Sequence, residues 1–228
     1  MNLSLTLISG LAWTLVYLES IRIGFRDRTY AMPIAALGLN FAWEWIYALD
    51  GFAATNPQSW VNLVWGCLDV AILVTFLRFG RSELPAFVSR SMFLAWGAAM
   101  VGIGFVVQAL FLAEFGLAGG KSPTYSAFLQ NALMSGLFIA MFVARRGVRG
   151  QSLTIAVAKW LGTLAPTIQY GAMAGSAFVL GLGGICSVLD LTYIGLLLWA
   201  TRMPDTFARA TPPASIPAGG AHDPSRLS

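Results

Sequence analysis

Charge is what this chain has least of. Asp, Glu, Lys and Arg together make up 11% of its 228 residues, against about a quarter in an ordinary soluble domain. Too few polar side chains remain to cover a water-facing surface, and 57% of the residues are apolar, so the composition is that of an integral membrane protein. Lysine is scarcer still: Lys121 and Lys159 are the only two among 14 basic residues. The single histidine, His222, lies in the C-terminal segment. The two cysteines, Cys67 and Cys186, fall in apolar stretches, where each is expected to be a small buried hydrophobe. No Cys/His spacing suggests a metal site, and no basic patch interleaved with polar surface suggests a nucleic-acid partner. No cofactor is expected. The N-terminus lacks the basic start and small-residue cleavage site of a signal peptide and is expected to be a retained first membrane helix.

Long apolar runs are what the chain does have. A helix needs about 20 mostly apolar residues to cross the hydrocarbon core, and seven runs qualify: Leu3–Phe25, Ala31–Phe52, Trp60–Leu77, Ser91–Leu112, Tyr125–Val143, Leu153–Ala174 and Phe178–Ala200. Turn and charge signals separate them, among them Asn56-Pro57, Gly80-Arg81-Ser82 and Gly119-Gly120-Lys121-Ser122-Pro123. The break at Gly175-Ser176 is the weakest. The expected fold is therefore all-α, a polytopic bundle of seven transmembrane helices over residues 1–202. Residues 203–228, rich in Pro, Ala, Ser and Gly, are expected to form a disordered cytoplasmic tail.

Orientation follows from the arginines. Arg22, Arg26 and Arg28 follow the first run, and Arg78, Arg81 and Arg90 the third. Arg145, Arg146 and Arg149 follow the fifth, and Arg202, Arg209 and Arg226 the seventh. Twelve of the 14 basic residues thus share one side, which the positive-inside rule makes cytoplasmic. The N-terminus is then expected outside and the C-terminus inside. Abundant Arg and Ala beside so little Lys point to a high-GC genome, and so to a bacterial cytoplasmic membrane.

Polar residues within the runs are few, and an ionisable group at the bilayer centre costs roughly 2.5–3.5 kcal/mol on insertion scales. Glu44 lies deep in the second run, with Asn40, Phe41, Tyr47 and Ala48 on its face and Trp43 and Trp45 flanking it. Asp69 lies in the third run with Asn62 and Trp65 on its stripe, and Asp190 in the seventh with Cys186 and Tyr193. Gln108, Gln130, Asn131, Lys159 and Gln169 complete the set. At about 1.5 Å per residue, Asp69 and Asp190 come out near the midplane and Glu44 somewhat to its outer side, so the three acids imply a shared polar cavity. Asp69 with Lys159 is one possible structural pair. Otherwise Lys159, close to the cytoplasmic end of the sixth run, is expected to snorkel to the interface, and its replacement by alanine to be harmless. Glu19 is placed to meet Arg22 one turn away.

The run Asn40-Phe41-Ala42-Trp43-Glu44, together with Asp190-Leu191-Thr192-Tyr193 in the last helix, resembles the small seven-helix membrane terpene cyclases. These comprise the pyripyropene- and paxilline-type fungal enzymes and bacterial drimentine-type relatives. The resemblance covers most of the chain apart from the tail. It implies that Glu44 and Asp190 are the catalytic acids. It also implies that a prenyl chain, farnesyl above all, on an indole or other meroterpenoid substrate is cyclised after protonation of its terminal alkene or epoxide. The sequence carries no Asp-Asp-x-x-Asp or Asp-x-Asp-Asp cluster that would hold Mg²⁺ against a diphosphate, which agrees with initiation by a proton and with no metal.

A proton donor must be neutral, and burial favours the neutral acid. A second carboxyl hydrogen-bonded to it then stabilises the conjugate base. Asp190 beside Glu44 suits such a division into donor and supporter, in either order, with Asn40 and Tyr193 as further partners, and the pair is expected to titrate as a unit. Aromatic faces stabilise carbocations by about 0.5–2 kcal/mol per contact. Phe41, Trp43, Tyr47, Trp65 and Tyr193 are the candidates for that role, while Asp69 and Gln108 complete the expected substrate cavity. The expected partners are a prenylated small molecule and the lipid bilayer. The alternative is a proton-coupled transporter, in which intramembrane acids are also typical. A retinal protein is disfavoured because the seventh run has no lysine.

Overall fold

The computed structural model describes residues 2–53 and 57–203. Seven α-helices account for nearly all of them: α1 (Leu3–Arg26), α2 (Ile34–Ala53), α3 (Gln58–Phe79), α4 (Arg90–Phe115), α5 (Lys121–Arg145), α6 (Leu153–Pro166) and α7 (Ala177–Arg202). No strand occurs among the described residues. Five of the helices, α1, α3, α4, α5 and α7, are long and apolar enough to cross a membrane. In α2 the polar residues Asn40, Glu44 and Asp50 dilute the apolar run, and α6 is broken at Pro166. The expected tail lies outside the described residues except for Met203.

Short polar side chains set several helix starts. Asn2 accepts from the backbone N–H groups of Ser4 and Leu5, Ser89 from Met92, Ser152 from Ile155 and Ser176 from Val179, each satisfying an amide that the first turn leaves without a partner. Helix α2 begins at Ile34 rather than at the expected Ala31. Proline disfavours the helical conformation in the residue before it, and the Pro33 carbonyl accepts the first bond, from Leu37 at 2.9 Å. Between α4 and α5 the chain turns through Gly116, Gly119 and Gly120, all at positive φ, which only glycine adopts freely.

Neighbour packing closes the bundle into a ring in the order α1, α3, α2, α4, α5, α7, α6 and back to α1, with α2 also touching α5 across it. Apolar side chains such as Leu11, Val64, Val106, Leu110 and Val188 point outward and stay exposed, as lipid requires. Two contacts show how closely the helices approach. A Cβ on Gly104 of α4 would lie 2.1 Å from the Gly38 carbonyl oxygen of α2, so only glycine lets those backbones cross there. On the other side, Pro166 has no N–H to offer the carbonyl four residues back, that of Gly162. Ser9 of α1 fills the vacancy, its hydroxyl donating to the Gly162 oxygen at 2.7 Å. Past Pro166 the helix widens into a π-helical turn over Thr167–Met173, a common relief of such strain.

The arginine-rich end is held by a polar latch. Arg145, at the end of α5, reaches Glu83 at 2.8 Å, Thr29 Oγ1 at 3.0 Å and the Tyr30 carbonyl at 2.8 Å, and its guanidinium lies 4.4 Å from the Tyr30 ring centroid. The Thr29 hydroxyl also donates to Glu83. Asp27, just past α1, accepts from the Gly150 N–H at 3.2 Å. The bond from Arg26 holds its carboxyl below the usual carboxylate range. Glu19 and Arg22 pair as expected, through two bonds of 2.6 and 2.7 Å.

Candidate active site

Polar side chains gather in clusters within the apolar interior of the ring, and every helix contributes to them. On α1, Trp13, Tyr17, Ser20 and Gly24 recur at helical spacing on the buried face. This directs the Tyr17 hydroxyl inward, where it accepts from Asn40 Nδ2 at 2.7 Å and donates to Glu44 Oε1 at 2.8 Å. Asn40, one turn before Glu44 on α2, also donates to Asp69 Oδ2 of α3 at 2.9 Å. Glu44 and Asp69 thus flank a Tyr17–Asn40 bridge. Glu44 is 2% exposed and Asp69 0%. One oxygen of each, Glu44 Oε2 and Asp69 Oδ1, has no hydrogen-bond partner among the described residues. The Trp65 ring stacks on Tyr17 with centroids 5.8 Å apart, fixed by its own N–H on Thr14 at 3.1 Å.

This cluster extends outward through amides. Gln130 of α5 donates to Asn40 Oδ1 at 3.3 Å, and Gln108 of α4 donates to Gln130 Oε1 at 2.8 Å. Every bond from Gln108 to Glu44 therefore runs in one direction, donor to acceptor, and bonds so aligned polarise one another.

A second cluster joins α5, α6 and α7. Lys159, fully buried, donates to Asp190 Oδ1 at 2.8 Å, to Asp190 Oδ2 at 3.0 Å and to Ser135 at 2.6 Å. The expectation that Lys159 snorkels is therefore wrong, and so is its pairing with Asp69. The helix end that suggested an interfacial lysine is folded inward against α5 and α7, and the carboxylate waiting there belongs to Asp190.

The expected contact between Glu44 and Asp190 is also replaced. Glu44 bonds to Tyr17 and Asp190 to Lys159, and no hydrogen bond joins the two acids. The acid beside Glu44 is Asp69. Helix α5, which packs on both α2 and α7, carries a side chain into each cluster, Gln130 and Ser135.

Of the other residues singled out from sequence, Gln108 and Trp65 join the Glu44 cluster. Tyr193 does not: its hydroxyl donates to Gln151 at 2.9 Å and its ring lies 5.4 Å from that of Phe138. Tyr47 bonds Ser122 at 2.6 Å, and the Trp43 N–H donates to the Pro123 carbonyl at 3.0 Å, which ties α2 to the start of α5. Phe41 packs edge-on against Trp45 and Phe105 of α4. Cys67 is exposed, not buried, while Cys186 is buried as expected. Sequence reasoning missed Tyr17 and Ser135. The only signal for Tyr17 was its place in the Trp13-to-Gly24 stripe, which an ordinary packing face would share. Among the described residues no three His, Cys, Asp or Glu side chains are grouped to hold a metal ion.

A multi-pass helical bundle whose ring of helices encloses two buried carboxyl clusters is the class of protein that these observations define. Comparison with known proteins gives the family. Residues 2–203 match the family described as Pyr4-like transmembrane terpene cyclases, and the chain belongs to that family. It is 28% identical over 206 residues to the terpene cyclase pyr4 of Aspergillus fumigatus, covering 86% of this chain and 85% of that one. It is 29% identical over 199 residues to the terpene cyclase adrI of Penicillium rubens, covering 83% and 79%. It is also 28% identical over 165 residues to the Pyr4-family terpene cyclase mfmH of Annulohypoxylon moriforme, covering 70% and 66%. These relatives are fungal, so the expected bacterial source finds no support in them. No solved structure matches the chain.

Proposed function

We propose that this membrane terpene cyclase cyclises a prenyl chain, farnesyl above all, borne by an indole or other meroterpenoid substrate, and that Glu44 starts the reaction by protonating the terminal alkene or epoxide. The observation that carries this reading is how the three buried acids differ: Asp190 is paired with a cation, whereas Glu44 and Asp69 each keep one oxygen without a hydrogen-bond partner among the described residues. Asp190 has a cation, Lys159, within 2.8 Å. Among the described residues, Glu44 has the Tyr17 hydroxyl on one oxygen and no hydrogen-bond partner on the other. A buried acid is neutralised by a cation or by a proton. Asp190 is then the carboxylate, while Glu44 and Asp69 are the neutral acids; of these two, Glu44, which holds the Tyr17 hydroxyl on Oε1, is assigned as the proton carrier, with Oε2 free to present its O–H to a substrate carbon or epoxide oxygen.

As the proton leaves Glu44, the Tyr17 hydroxyl bond to Oε1 stabilises the carboxylate that forms. Asn40, by donating to both Tyr17 and Asp69, fixes that hydroxyl in place. The π electrons of the alkene take the proton, a carbocation forms at the more substituted carbon, and ring-closing C–C bonds follow. A final proton loss to a carboxylate closes the count, so the product is an isomer of the substrate. The stacked Tyr17 and Trp65 rings offer faces to the cationic intermediates. Phe41, Trp43, Tyr47 and Tyr193 act in this reading from the surrounding wall, and Gln108 through the amide run to Asn40. The arginine-rich end faces the cytoplasm, with the N-terminus outside.

The test is turnover in membranes. Supplied with a farnesylated indole or an epoxidised prenyl compound, the protein should yield a cyclised product of unchanged mass. Glu44→Gln and Asp190→Asn should each remove nearly all of it while the protein still inserts. Retained turnover in Glu44→Gln would refute the assignment of the donor.

A further inference from the structure

Between α2, α4 and α5 lies a groove of about 440 Å³, within the range of roughly 300–1,000 Å³ typical of small-molecule pockets. Its rim is apolar: Ile103 of α4 and Leu129 and Leu133 of α5 line it and are 52%, 45% and 47% exposed. These are outward positions on membrane-spanning helices, so the groove opens sideways into the bilayer. Leu39 of α2 lines it as well, and its polar members include Gln108 and Gln130, which are 0% and 5% exposed.

Gln108 Oε1 is buried and has no hydrogen-bond partner among the described residues. A buried acceptor left unpaired carries its full desolvation penalty, which a ligand bearing a donor would remove. The amide group it belongs to is the first member of the aligned run through Gln130, Asn40 and Tyr17 to Glu44.

We propose that this groove is where the substrate binds on its way in from the lipid: its isoprenoid chain lies along the apolar rim and an O–H or N–H of the same molecule donates to Gln108 Oε1. The assignment of an isoprenoid occupant rests on the cyclase reading above. A phospholipid acyl chain fits the rim equally well but carries no donor and would leave Gln108 unpaired. A prenylated indole or phenol supplies both chain and donor. Once paired, Gln108 strengthens the run that ends on the acid, so occupancy of the groove is felt at Glu44.

The experiment uses the full chain in phosphatidylcholine nanodiscs and a farnesyl indole carrying a diazirine on the isoprenoid chain. Photolysis should label α4 and α5 at the peptides of Ile103 and Leu133. Unmodified farnesyl indole should displace the label, and excess phospholipid should not. Ile103→Trp, which fills the rim from a lipid-facing position, should cut labelling at least fivefold. Val106→Trp, on the same helix but outside the groove, should leave it unchanged. Gln108→Leu should raise the half-saturating probe concentration about tenfold for the N–H probe and leave that of its N-methylated analogue unaltered.

Labelling on α1, α6 or α7 instead would overturn the proposal. So would equal labelling by a diazirine phospholipid that farnesyl indole fails to displace, which would make the groove a lipid site. The two readings fail separately. Wild-type protein that forms cyclised product but is labelled elsewhere keeps the cyclase assignment and loses the groove. Protein labelled in the groove that cyclises no prenyl compound keeps the groove and loses the assignment.

Discussion

Replacing Lys159 by methionine removes the ammonium group and keeps most of the volume. In the folded protein that ammonium makes three bonds of 2.6–3.0 Å, to Ser135 and to both oxygens of Asp190, and both members of the pair are essentially inaccessible. Breaking a buried pair from one side leaves a charge with no counter-ion, which costs about 3–5 kcal/mol. That corresponds to roughly two to three and a half orders of magnitude in the folding equilibrium. The loss is conditional on Asp190 remaining a carboxylate. If Asp190 were already a neutral acid, only hydrogen bonds would be lost, at about 0.5–1.5 kcal/mol each. Adding Asp190→Leu to Lys159→Met removes both charges, and such apolar replacements are often neutral or stabilising. The expected pattern in equilibrium unfolding in mixed micelles is therefore a severe single mutant and a double mutant close to wild type. Both should be inactive in the cyclisation assay. A single mutant no less stable than the double mutant, and still able to turn over substrate, would show that Asp190 is not held as an ion, and the division of labour between the acids would fall with it.

Tyr17→Phe keeps the stack on Trp65 and removes only the hydroxyl between Glu44 and Asn40. It should lower kcat/KM by about 10- to 100-fold, the equivalent of the roughly 1–3 kcal/mol left when buried polar groups lose a partner, and an unchanged rate would exclude Tyr17 from supporting the acid. Gly104→Val drives a side chain into the Gly38 carbonyl, where even a Cβ has no room, and forces α2 and α4 apart. The expected result is poor accumulation in the membrane, and normal yield with full activity would show that the crossing is loose. Arg145→Met strips Glu83 and Thr29 of their common partner at the arginine-rich end and should destabilise the protein by about 1.5–3 kcal/mol with kcat unaffected, read as an earlier unfolding midpoint at normal turnover.

The amino-acid sequence by itself determined that this chain lives in a bilayer and how many times it runs along a helix. It also determined which few polar side chains are carried inside, because scarcity of charge, apolar run length and the arginines at alternate breaks are properties of the chain read in one dimension. It marked Glu44, Asp69, Asp190 and Lys159 as unusual for the same reason: the cost of an ionisable group in lipid is legible without knowing its neighbours. What it left open is which of them meet. That depends on how the helices are ordered around the ring and rotated about their axes. These are set by contacts such as the Gly38–Gly104 crossing and the Ser9 bond to the Gly162 carbonyl, each of which joins residues far apart in the chain. Only the tertiary structure therefore gave Lys159 to Asp190 and turned Tyr17 toward Glu44. The acids are a matter of composition. Their roles are a matter of partners, and a partner in a helix bundle is chosen by packing.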